Sequence, residues 1–137
     1  LQKQNIIPNP DFSMIQSAFP TIRWADSLKE NNVFKKEKSD EFVEEFWFND
    51  SIIESMDIVI KQYLEKLKVA CLKRNGLQIY NSVKWFVNKI NKLNSSNDYF
   101  IETLERDELG VFIDKTINLT GFKLAKNVDI TEQWREW

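Results

Sequence analysis

Apolar residues recur along this chain at the spacing of helical faces. The clearest example runs from Asp50 to Arg74, where they advance in steps of one and three. That face carries Ile52, Ile53, Met56, Val59, Ile60, Tyr63, Leu64, Leu67, Ala70 and Cys71, and the opposite face carries Glu54, Asp57, Lys61, Glu65 and Lys68. The pattern predicts a long amphipathic helix over residues 50–74.

A second helix is predicted over residues 77–93, directly after the first. Its apolar face holds Ile79, Tyr80, Val83, Phe86, Val87, Ile90 and Leu93. Between the two patterns, Asn75 and Gly76 are residue types that tolerate the left-handed conformation in which helices often end. Because the connection is so short, we expect the two helices to run antiparallel as a hairpin.

Shorter patterns predict further helices on both sides of the hairpin. Asn9, Pro10 and Asp11 are typical of a helix start, and that helix would end before Pro20. Three other helices are predicted, over about residues 40–48, 98–105 and 107–120. The second of them would be capped by Asn97 or Asp98. Residues 20–39 and 121–130 show no clear pattern. Together the patterns predict one all-α domain over residues 1–137, a bundle of five or six helices built on the central antiparallel hairpin.

Composition narrows the chemistry that the chain can support. It has no histidine, one cysteine and three glycines, which excludes histidine-dependent catalysis, cysteine-rich metal sites and glycine-rich phosphate loops. Cys71 falls on the apolar face of the first hairpin helix, where we expect an inert core thiol. We therefore predict a protein that is not an enzyme and needs no cofactor or metal. The single cysteine favours a reducing compartment such as the cytoplasm, and no apolar run is long enough to predict a membrane helix.

Charge is strongly segregated although the net charge is only −2. Residues 37–57 hold eight acidic residues and one lysine, whereas residues 61–92 hold eight basic residues and one glutamate. Residues 98–114 are acidic again, with six acidic residues and one arginine. Either the acidic elements pack beside the basic hairpin and the charges cancel, or one charged surface stays open and attracts a partner of opposite charge.

The first candidate for such a surface is the acidic segment. Its carboxylates could occupy a basic cleft of a partner protein in place of phosphates and would raise the rate of association. Phe48 would add an apolar anchor, since on a helix over 40–48 it lies away from the other large apolar residues. The predicted contacts are Glu41, Glu44, Glu45, Phe48, Asp50 and Glu54.

The second candidate is the outer face of the basic hairpin. On a helical wheel Trp85 lies about 150° from the apolar face of its helix, which predicts an exposed interface anchor or a platform on which bases stack. Alternatively, another helix or the C-terminal tail covers the Trp85 ring. The residues of this alternative site are Trp85, Lys84, Asn88 and Lys92. A nucleic-acid-binding module using residues 61–92 is therefore an alternative function, although few arginines and an acidic isoelectric point argue against it.

A third function class, a hydrolase with a carboxylate-bound metal, would use Asp50, Glu54 and Asp57. Acidic residues cluster in this part of the sequence and could supply a magnesium site held by carboxylates alone. Nothing in the sequence has the spacing of an active site. This hypothesis is the least specific of the three.

The chain ends in an octapeptide with two tryptophans, Ile-Thr-Glu-Gln-Trp-Arg-Glu-Trp from Ile130 to Trp137. Trp134 and Trp137 share a helical face, so we expect them to dock on the core and anchor the terminus. This ending resembles that of small bacterial proteins, some of which are grouped with the immunity proteins of contact-dependent or polymorphic toxin systems. The resemblance implies an inhibitor that binds a cognate toxin stoichiometrically, with a basic toxin domain as the expected partner.

Overall fold

The computed structural model describes residues 6–37, 49–123 and 130–137, and across these residues the fold is all-α, as predicted. The described ranges contain four α-helices, which are α1 (Pro20–Glu37), α2 (Asp50–Leu72), α3 (Gly76–Ser96) and α4 (Thr103–Thr120). A short 3-10 helix, Ser13–Ala18, precedes α1. No helix in this part of the chain is long and apolar enough to cross a membrane.

Helices α2 and α3 form the predicted hairpin, with each start fixed by an asparagine. Asn49 accepts a hydrogen bond from the backbone N–H of Ile52, and Asn75 accepts one from that of Gln78. The left-handed residue of the connection is Arg74, with a φ of 48°, rather than the predicted Asn75 or Gly76. Gly76 instead begins α3, and a residue without a side chain suits this position because a Cβ there would lie 2.7 Å from the ring of Phe122.

The two helices predicted after the hairpin are one helix. A capping box starts α4 at Glu102, whose backbone N–H donates to the Glu105 carboxylate, and Gly121 ends the helix with a φ of 78°. Helix α3 continues to Ser96, because buried Asn94 accepts a hydrogen bond from the Ile101 N–H and organises the turn. The predicted cap at Asn97 or Asp98 is therefore wrong.

The N-terminal third differs most from the prediction. The predicted helix over residues 10–19 is only the 3-10 helix, and the region from Pro20, which showed no clear pattern, forms the 18-residue helix α1. Trp24 is the fully buried anchor of α1, and its ring packs edge-on against Phe100. The helix predicted over residues 40–48 lies outside the described residues.

A cluster of three aromatic rings joins the hairpin to α4. Tyr63 stacks on Phe86 with ring centroids 4.3 Å apart, and Phe112 meets both rings edge-on. The Tyr63 hydroxyl lies 2.7 Å from that of Thr116 on α4. Burial raises the pKa of Tyr63 far above its ordinary value, so the phenol stays protonated and acts as a structural hydrogen-bonding group.

Helix α1 is fastened to α4 through a single carboxylate. Glu108 accepts hydrogen bonds from the Arg23 guanidinium and, at 3.0 Å, from the Trp24 indole N–H. The carboxylate raises the pKa of Arg23, chiefly through its hydrogen bonds. One side chain of α4 therefore holds two consecutive residues of α1.

Glu108→Ala is expected to lower the free energy of unfolding by about 1–3 kcal/mol, because hydrogen bonds to a charged group are lost at a partly buried site. The matched control is Asp107→Ala, which removes an exposed carboxylate from the same turn and should change stability by about 0.5 kcal/mol or less. Urea denaturation followed by circular dichroism measures both changes. Equal effects would show that Glu108 does not fasten α1.

Candidate partner-binding surface

Most of the predicted acidic surface lies outside the described residues, namely Glu41, Glu44, Glu45 and Phe48. Its two described members, Asp50 and Glu54, are exposed in the first two turns of α2. They stand four residues apart on one side of the helix and face solvent. The acidic surface therefore stays a prediction, with this exposed pair at its described end.

The proposed carboxylate-bound metal finds no site in the described part of the chain. Asp57 is half-buried and accepts a hydrogen bond from the Thr21 hydroxyl, which ties α2 to α1. Across residues 6–37, 49–123 and 130–137, no group of three or more cysteine, aspartate or glutamate residues is placed to hold a metal ion.

The basic hairpin carries a groove along its outer side, between α2 and α3. We call it the Trp85 groove. It has a volume of about 570 Å³ and is lined by Glu65, Lys66, Val69 and Lys73 of α2 and by Gln78, Asn81, Ser82 and Trp85 of α3. Trp85 is half-buried rather than exposed, because its side chain packs against the hydrophobic core. Val69 is 48% exposed and forms an apolar patch between the charged residues.

The ammonium groups of two lysines lie close to the Trp85 ring. The Lys66 ammonium lies 4.7 Å from the ring centroid, and the Lys89 ammonium lies 5.7 Å from it. Such cation–π contacts contribute about 0.5–1 kcal/mol each at exposed sites and limit the orientations of the ring. Trp85 is therefore a large aromatic residue held in place beside two positive charges.

The lysines of the groove keep their charge available. In the described ranges, Lys66, Lys73 and Lys89 form no ion pair with a carboxylate. Glu65 is the acidic residue of the groove lining, and its carboxylate oxygen lies 3.4 Å from the ammonium nitrogen of Lys68 on the same helix. No carboxylate of the described residues therefore pairs directly with these three lysines.

The residues predicted with Trp85 divide between two sides of α3. Asn88 and Lys92 are exposed and lie within about 60° of Trp85 on the helix. Lys84 instead points to the C-terminal tail, with its ammonium 6.0 Å from the ring centroid of Trp134. Sequence reasoning missed Lys66 and Val69, although Val69 lies outside the apolar face of α2 and could have been recognised there.

The C-terminal tail docks on the other flank of α3. The Asn91 side chain donates to the backbone carbonyl of Trp134 and accepts from the backbone N–H of Glu136, at 2.8 and 3.0 Å. The Trp134 ring packs edge-on against Tyr80, with centroids 4.9 Å apart. Residues 130–137 therefore contact α3 away from the Trp85 groove and do not line it.

Other concave surfaces of the described chain use their charges locally. One, of about 430 Å³ between the start of α1 and α4, contains the Arg23–Glu108 pair. Another, of about 580 Å³, is lined by residues near the N-terminus and by α2, and there hydrogen bonds from Ser13 lower the pKa of Asp11. Neither has a partly exposed aromatic ring as the Trp85 groove does, because the phenylalanines that line them, Phe12, Phe19 and Phe112, are buried.

Comparisons with known proteins identify no relative of this chain. No protein-family model, no curated protein and no solved structure matches the chain.

Asn91→Ala is expected to release the tail, because both of its hydrogen bonds to the tail backbone are lost. The free energy of unfolding should fall by about 1–2 kcal/mol, and exchange of the Glu136 amide proton should accelerate. The control is Asn88→Ala, which removes an exposed amide from the adjacent turn of α3. Denaturant unfolding and hydrogen exchange measure the effects, and unchanged exchange in Asn91→Ala would contradict the role of this side chain.

Cys71 is expected to resist alkylation in the native protein. The thiol is buried in the core, and burial raises its pKa to about 11, so very little thiolate exists at pH 8. Iodoacetamide labelling followed by mass spectrometry should show slow modification of the folded chain and rapid modification in denaturant. Rapid labelling under native conditions would contradict a core position.

Proposed function

We propose that this chain is a non-catalytic binding protein that recognises another protein, and that the Trp85 groove is a contact surface. The observation that carries the proposal is the Trp85 ring, half-buried and flanked by Lys66 and Lys89. Tryptophan is the residue type most enriched where binding energy concentrates in interfaces. A ring already held in position loses little conformational entropy on binding.

The surroundings of Trp85 suit a protein interface. Val69 supplies exposed apolar surface, and the amides of Gln78 and Asn81 supply hydrogen-bonding groups at the rim. The lysines favour a partner of opposite charge and would accelerate its association. An apolar centre with a polar and charged rim is the usual composition of a specific interface.

We propose further that the partner is a bacterial toxin, which the chain binds and inhibits as an immunity protein. The C-terminal octapeptide and the segregated charge support this proposal, as does a composition without histidine or glycine-rich loops. If the toxin is basic, the acidic surface is its predicted contact, with Glu41, Glu44 and Glu45 as the central residues. That surface and the Trp85 groove are alternatives, and variants of each distinguish them.

A second candidate function, binding of nucleic acid, is favoured by the two lysines beside the Trp85 ring, Lys66 and Lys89, and by Lys73 further along the groove. Its weakness is that a stacked base needs a free ring face. The Lys66 ammonium already lies over the Trp85 ring, so a base would have to displace it. A nucleic-acid complex would also weaken steeply with salt for any oligonucleotide, which distinguishes it from a specific protein complex.

The test is binding to the protein encoded by the gene adjacent to this one, since immunity genes lie beside those of their toxins. Trp85→Ala is expected to weaken the complex by about thirtyfold or more, because truncation of a central anchor costs about 2 kcal/mol or more. Leu104→Ala is the matched control, because Leu104 is 53% exposed on α4 outside the groove. Isothermal titration calorimetry measures the affinities, and circular dichroism verifies folding.

A second arm tests inhibition in cells. Expression of the neighbouring protein should arrest growth, and co-expression of this chain should restore it. If Trp85→Ala retains full affinity while Glu41→Lys, Glu44→Lys and Glu45→Lys lose it, the acidic surface is the interface instead. Absence of both a complex and protection would contradict the toxin proposal.

A further inference from the structure

We infer that the Trp85 groove binds an acidic protein segment that presents two carboxylates about 10 Å apart, with an apolar side chain between them. This inference rests on the proposed function and specifies the chemistry of the partner at that surface. It follows from the arrangement of charge and apolar area along the groove.

The spacing comes from α2. Lys66 and Lys73 are seven residues apart and therefore lie on the same side of the helix, separated by about 10 Å along its axis. Val69 lies between them in sequence, on the same wall of the groove, and is half exposed. The wall thus alternates positive, apolar and positive, which is the complement of carboxylate, apolar side chain and carboxylate.

The Trp85 end of the groove concentrates positive charge. The ammonium groups of Lys66 and Lys89 both lie within 6 Å of the centroid of one ring. A carboxylate placed at this end of the groove would be attracted by both ammonium groups. We therefore place the first carboxylate of the partner at Trp85 and the second at Lys73.

The same spacing limits the sequence of the partner segment. In an extended strand, residues three apart span about 10 Å, because each residue advances about 3.3 Å. On a helix, residues seven apart span the same distance. The segment should thus carry Asp or Glu at one of these two spacings, with a large apolar residue between them.

The experiment is a display selection of short random peptides on the intact chain. Peptides that also bind the folded Trp85→Ala variant are removed in a counter-selection. We expect the enriched peptides to share the acidic spacing described above. The best of them should bind about tenfold or more weakly to Lys66→Glu and to Lys73→Glu.

The control for a general charge effect is Lys115→Glu, which changes the net charge equally at an exposed position on α4. Peptide affinity should change less than twofold in this variant, because exposed charges more than a Debye length (about 8 Å) apart are largely screened at physiological salt. An equal loss of affinity in Lys115→Glu would overturn the inference.

The remaining outcomes separate the inference from the proposed function. Enriched peptides that need Trp85 but lack carboxylates would overturn the acidic partner and leave the Trp85 groove as a protein contact. A selection without any peptide that distinguishes Trp85→Ala from the unaltered chain would contradict both. A single-stranded oligonucleotide that binds more tightly than the best peptide, with steep salt dependence, would assign the groove to nucleic acid.

Discussion

The stack of Tyr63 on Phe86 is the contact on which the rest of the molecule depends. It fixes the register of α2 against α3, and Phe112 then seats α4 on both rings. In an antiparallel hairpin a step of three residues along one helix is matched by a step of about three back along the other. The register that pairs Tyr63 with Phe86 therefore sets Lys66 level with Val83, within one turn of Trp85, and the long Lys66 side chain reaches the Trp85 ring. The groove is thus a consequence of core packing.

The hairpin could be predicted because its buried residues repeat with the helical period over more than twenty positions. Helix α1 could not be predicted, because the burial of its residues does not follow their hydrophobicity. Ile22 is 46% exposed, whereas Thr21 is buried and donates a hydrogen bond to Asp57. Tertiary bonds through Thr21 and Trp24 position this helix, and a pattern of apolar residues does not record such bonds. The extension of α3 to Ser96 depends in the same way on the buried side chain of Asn94.

Sequence patterns describe one helix at a time, so only the α3 side of the candidate site could be predicted. The wheel position of Trp85 identifies it as lying off the apolar face, which is why it was recognised in the sequence. The opposite wall of the groove comes from α2, and Lys66 does not stand out from the other lysines of that helix. A surface formed between two helices depends on their register, and register depends on core contacts far from the surface.

Two groups of charged residues differ in their partners: carboxylates that make hydrogen bonds within the fold, and lysines that have no carboxylate partner among the described residues. Glu105 caps α4, Glu108 fastens α1, and both lie near the N-terminal end of α4, where the helix dipole favours negative charge. These acidic residues therefore have a structural use. Lys66, Lys73 and Lys89 have no carboxylate partner within the described residues, and the cation–π contacts of Lys66 and Lys89 with Trp85 contribute only about 0.5–1 kcal/mol each. Positive charge that no described carboxylate pairs with, placed beside a tryptophan held in position, is what the proposed partner would complete.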